Sequence, residues 1–147
     1  MRRFFWLPLA AFCVAAAPPA NDVSKKDLQK LQGDWAAVSM VVDGVVSSDD
    51  EAQSLFRTVK GNAYTLFFFK KAFVRYTFTI DATKQPRTID AKTVPSSPQA
   101  KPLLGIYKFD GGRWVTCFAA PGKERPKDFT SKPDSGNQLS VWEREKP

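Results

Sequence analysis

The side chains with chemistry to offer in these 147 residues are carboxylates, lysines, arginines and two thiols, for there is no histidine. Without an imidazole, serine and cysteine triads have no general base, and the common zinc sites lose their usual nitrogen ligand. Cys13 and Cys117 alone are too few to build a thiolate cage. What remains for catalysis is a carboxylate pair such as Asp81 with Asp90, one acid kept protonated beside an ionised base. Carboxylates of this kind more often sit solvated in turns. Asp49-Asp50-Glu51 is better explained as the acidic first turn of a helix than as a metal site. Gly111-Gly112 lies in a hairpin signal, and no glycine-rich phosphate loop precedes a helix. The chain is therefore expected to be noncatalytic, with no metal and no cofactor.

Binding chemistry has better material. Aromatic residues make up 13% of the chain, and those on the inward phase of alternating runs could line a pocket for a small, mostly apolar molecule. Tyr64, Leu66, Phe78, Tyr107, Trp114 and Phe118 are the expected lining. The same rings could instead fill a small barrel, and alternation does not separate a pocket from a packed core. A filled barrel would leave a structural or protein-interaction module of the cell envelope, with the polar segment from Ala120 to Asn137 and its Lys123, Arg125, Lys127 and Lys132 as the contact surface. The net charge of +7 comes from 22 basic and 15 acidic residues. Only Lys25-Lys26 and Lys70-Lys71 are adjacent lysines, so there is no basic stripe of the kind that follows a phosphate backbone, and nucleic acid is not an expected partner.

Arg2 and Arg3 precede an uncharged apolar run from Phe4 to Ala17, closed by Pro18-Pro19 and Asn21-Asp22. That order of basic, apolar and small residues predicts a secretory signal over residues 1–20 and a single domain over residues 21–147. The run is short for a membrane-spanning helix and contains Pro8, and no later segment could span a bilayer as a helix. Removal of residues 1–20 takes two of the 22 basic residues with it, leaving 20 against 15 acidic ones and a formal charge of +5. An exported location, periplasmic, envelope-associated or extracellular, is expected. Cys117 would then be the sole thiol, inside the apolar stretch Trp114-Val115-Thr116-Cys117-Phe118, where packing is its expected role.

These residues must be held by a mainly β framework. Asp22 to Gln32 reads as a short helix stopped by Gly33, with Leu28 and Leu31 on one face. Trp35 to Val42 reads as a buried strand turned by Asp43-Gly44, and Ser47 to Phe56 as a short connecting helix behind acidic residues. Seven further strands are expected at 57–60, 63–69, 73–80, 87–93, 103–109, 113–119 and 138–144, separated by turn residues. Tyr64, Leu66, Phe78 and Ile80 share an inward phase, and Leu139 and Val141 oppose Trp142. Phe67-Phe68-Phe69 breaks the alternation, which puts one ring on the surface or at a rim that a ligand or partner could cover. About eight strands in sequential hairpins favour a small antiparallel up-and-down barrel over an open sheet with exposed edges.

Leu31-Gln32-Gly33-Asp34-Trp35 resembles the Gly-x-Trp opening of lipocalins and their relatives. The strings Leu103-Leu104-Gly105-Ile106-Tyr107, Asp110-Gly111, Cys117-Phe118-Ala119, Pro121-Gly122, Arg125-Pro126, Ser131-Lys132-Pro133 and Ser135-Gly136 resemble an uncharacterised lipocalin-like domain family of planctomycete bacteria. The likeness runs from about Leu28 to Arg144, although Lys70-Lys71 stands where such domains often carry a glycine-containing turn. The resemblance implies an exported lipocalin-like β-barrel and brings no established activity. It also implies that Arg144 lies over Trp35 as a structural plug at the base of the barrel, a pairing worth ~0.5 to 2 kcal/mol in cation–π attraction.

Overall fold

The computed structural model describes residues 20–146, so the expected signal segment, up to residue 19, and Cys13 lie outside the described residues. Helix α1 (Ala20–Leu31) leads into β1 (Gly33–Val42), β2 (Val45–Val46), helix α2 (Asp49–Gln53), β3 (Leu55–Lys60), β4 (Ala63–Phe68), β5 (Lys71–Asp81), β6 (Arg87–Val94), β7 (Leu103–Asp110), β8 (Arg113–Phe118) and β9 (Gln138–Arg144). From β3 to β9 each strand pairs antiparallel with the next, and β1 pairs with both β3 and β9. The result is a closed eight-stranded, up-and-down, lipocalin-like barrel, with the two-residue β2 added beside the end of β1. Closure leaves the barrel strands no free edge.

The glycine-containing hairpins close where the turn chemistry predicts. Asp43-Gly44 and Gly111-Gly112 both have positive φ, the geometry of tight hairpin turns whose twist matches the strands. Phe69-Lys70 adopts the same left-handed conformation without a glycine, at φ 47° and 63°, so the triple-phenylalanine run ends with Phe69 pushed out to 66% exposure. Helix α2 is shorter than its sequence pattern suggests. Ser48 and Glu51 form a reciprocal capping box at its start, and Ser54 ends it by donating from both Oγ and N to the Asp50 carbonyl. Leu55 and Phe56, expected at the helix end, instead begin β3 because they pair with Phe68 and Phe67 of β4.

One end of the barrel is sealed by α1. Its Leu31 is fully buried in the core, and Trp35 Nε1 donates to the Leu31 carbonyl at 2.8 Å. Arg144, paired with Trp35 across β1 and β9, donates to the carbonyls of Gln32 and Lys30, which meets the acceptors a helix C-terminus leaves open. Buried Asp27 accepts from Tyr107 Oη at 2.8 Å and from Arg87 Nη1 at 2.9 Å, tying the helix to β7 and β6. The long 119–137 segment is anchored to the wall by Arg125, which donates to Asp90 at 2.5 Å and to the Gly105 carbonyl at 2.7 Å.

Cys117 is fully buried on the outer side of β8, its Sγ 3.5 Å from the Thr130 carbonyl. Burial pushes the thiol up to about 11. A raised thiol pKa keeps the unreactive protonated form across the range in which a free cysteine, with pKa near 8.5, would react. Native protein is expected to resist labelling by an aqueous disulfide reagent at mildly alkaline pH, and to label stoichiometrically once denatured. Rapid labelling of the native state would contradict this packing.

Candidate functional site

The inner face of β3 is where the sequence places an unexpected residue. Leu55, Arg57 and Val59 share one phase of the strand and all are buried, so a guanidinium occupies a position that alternation reserves for an apolar side chain. Arg57 is 3% exposed. Its Cζ lies 4.1 Å from the Trp142 ring centroid and 4.5 Å from those of Trp114 and Tyr64. Three aromatic faces thus surround the cation, and each attracts it through its quadrupole.

Register explains the assembly. Arg57 pairs with Trp35 on β1 and with Leu66 on β4, while Trp114 and Trp142 pair across β8 and β9 and Ala37 pairs with Trp142. Small Ala37 leaves room beside the indole, whose Nε1 donates to Ser140 Oγ at 2.9 Å. Ser140 in turn shares a 2.8 Å hydrogen bond with Thr116. These hydroxyls are committed to their neighbours and do not serve the cation.

The site is rich in donors and poor in acceptors. Arg57 Nε and Nη1 and Trp114 Nε1 are buried without a hydrogen-bond partner. No carboxylate forms an ion pair with Arg57 among the described residues, whose three salt bridges all lie elsewhere. Burial lowers the guanidinium to about 10, against small opposing effects of Tyr64 and Tyr76, so it remains a cation at neutral pH. Burial raises Tyr64 to about 12, with the Arg57 charge acting the other way; Tyr76 is raised for the same reason. Both phenols are therefore neutral.

Beside this cluster, at the end of the barrel opposite α1, opens a cleft of about 340 Å³, within the size range of small-molecule sites. Met40, Ala52, Leu55, Leu66, Phe68 and Tyr76 form its apolar wall, Ser47, Gln138 and Glu51, whose carboxylate caps α2 through Ser48, its polar side, and Phe73 its margin. Leu55 is the next inward residue before Arg57, and Leu66 is its partner across the strands. Exposed Phe69, Phe73, Val45 and Val46 stand on the hairpins at this same end, so the rim is more apolar than a surface with nothing to cover it requires.

Of the six expected lining residues, Leu66 lines this cleft. Tyr64, Phe78, Tyr107, Trp114 and Phe118 are packed in the core, where Trp114 and Tyr64 also face the guanidinium and Tyr107 holds Asp27. Arg144 Cζ lies 4.5 Å from the Trp35 ring centroid at the sealed end. Asp81 accepts from Thr83 and Asp90 from Arg125, so each carboxylate has its own partner. Arg57 and Tyr76 were not singled out by sequence reasoning, although the inward phase of Leu55-Phe56-Arg57-Thr58-Val59 carried the signal for Arg57. Among the described residues, no cluster of three metal-ligating side chains occurs, and no helix is long and apolar enough to cross a membrane. No protein-family model, curated protein or solved structure matches the chain.

Proposed function

We propose that the protein is an exported, noncatalytic member of a lipocalin-like family that binds one small, mostly apolar molecule at the open end of its barrel. The observation that carries this reading is the cleft of about 340 Å³ walled by Met40, Leu55, Leu66, Phe68 and Tyr76. An eight-stranded barrel is wide enough for one small ligand, and the exposed phenylalanines at the rim offer apolar surface along its path of entry. The basic and then apolar character of residues 1–20 supports export.

Native mass spectrometry of protein purified from exported material tests this directly. A mass excess that vanishes on denaturation is expected, and it should fall in Phe73→Asp, which puts a charge at the exposed margin of the cleft without disturbing the core. An empty wild type that stays empty when challenged with a panel of apolar molecules would sink the reading. That result would favour a structural or protein-interaction module of the envelope, which draws its support from the rings that fill the sealed half of the barrel.

A further inference from the structure

We propose that the molecule bound by the barrel is an amphiphile carrying one carboxylate, with the carboxylate seated against Arg57 and Trp114 and the apolar portion in the cleft; this rests on the ligand-binding reading above. The argument begins from what the interior lacks. Three buried N–H-bearing atoms, Arg57 Nε, Arg57 Nη1 and Trp114 Nε1, have no acceptor, and buried polar groups are ordinarily satisfied. An ionised carboxylate only accepts hydrogen bonds, through two oxygens, so it complements a site made only of donors. An alcohol or amide would bring donors of its own and leave the guanidinium charge unbalanced.

Charge count points to a monoanion. Arg57 is the only buried arginine or lysine among the described residues, and Asp27, the only buried carboxylate, is already held by Arg87 and Tyr107 at the sealed end. One carboxylate would neutralise the lumen, whereas a phosphate monoester of higher charge would leave a buried negative excess, costly in a low-dielectric interior. Placement agrees with this. Leu66 and Leu55, the cross-strand partner and the next inward residue of Arg57, both line the cleft. A headgroup at Arg57 would therefore lie level with Leu66 and one inward position deeper than Leu55. Tyr64, Trp114 and Trp142 meet the guanidinium through their faces, and none of them supplies an acceptor to Nε or Nη1.

The test is calorimetric titration of the full mature chain with decanoate, decanol and decyl phosphate at neutral pH, on wild type and on Arg57→Met. Decanoate is expected to bind wild type roughly 10- to 100-fold more tightly than decanol, the range of a charge-assisted hydrogen-bonded contact at about 1.4 kcal/mol per tenfold. Arg57→Met should erase that preference, bringing decanoate and decanol to similar affinity. Equal affinity for decanoate and decanol in wild type overturns the carboxylate assignment while the apolar-ligand reading survives. Tighter binding of decyl phosphate than of decanoate also overturns it. Failure of both decanoate and decanol to bind overturns the proposal together with the reading beneath it. The wild-type comparison decides the matter even where the variant does not fold.

Discussion

Trp142→Ala is expected to destabilise the protein by about 3–5 kcal/mol, read as a fall in the urea midpoint with little change in slope. Trp142 is fully buried on β9, the strand that closes the barrel against β1. Its ring covers the Arg57 guanidinium at 4.1 Å, pairs with Trp114 across β8 and β9, and fills the space left by Ala37 across β1 and β9. Truncation to alanine opens a cavity that strands hydrogen-bonded on both sides can barely collapse. It also removes one of three aromatic faces from a cation that has no other compensation, so the cavity and the exposed charge act together. A loss below about 1 kcal/mol would mean that the two halves of the seam, β8–β9 and β9–β1, hold without their shared ring, contrary to the ordinary cost of deleting a buried indole.

Arg57→Met is expected to act in the opposite direction and raise stability by about 1–4 kcal/mol, the range seen when buried charges give way to apolar residues of similar volume. Desolvating a cation costs several kcal/mol, and each unsatisfied buried donor adds about 1–3 kcal/mol. Aromatic faces return some of this, at about 2 kcal/mol for a desolvated contact, but they do not accept conventional hydrogen bonds from both Nε and Nη1. Methionine is unbranched and polarisable, so it can follow the arginine stem and keep contact with the three rings. Thermal and urea unfolding of the two proteins check the sign. A marked loss of stability would show that Arg57 supports the fold, and the case for a ligand group at that position would lose its energetic basis. Stability gained where binding is lost is the usual relation at a site kept for function.

The two substitutions probe neighbours in one cluster, so their effects should not add. Removing the indole from beside a methionine spares the charge-related part of the penalty. The double variant is accordingly expected to lie above the sum of the single effects. Simple additivity would show that the cation and the indole are not coupled.

Sequence by itself determined the local parts of this protein. Asp43-Gly44 and Gly111-Gly112 accept the left-handed backbone that tight hairpins need, and period-two alternation assigned Tyr64 and Phe78 to the inner face and set Trp142 opposite Leu139 and Val141 before any strand was paired. Gly33 marked the passage from α1 to β1 for the same local reason, a φ of 105° that disfavours any other residue. The tertiary structure alone decided three things. It turned Leu55 and Phe56 from a helix end into a strand, because Phe68 and Phe67 lie opposite them in the sheet. It packed Tyr64, Phe78, Tyr107, Trp114 and Phe118 into the core and set Leu66 alone of the expected lining at the cleft of the open end. Above all, it brought Arg57, Trp114 and Trp142 from distant parts of the chain into contact. Alternation reports which face a residue takes, whereas its height in the barrel and its neighbours across the lumen follow from strand register and closure, which only the pairing of β1 with β9 completes.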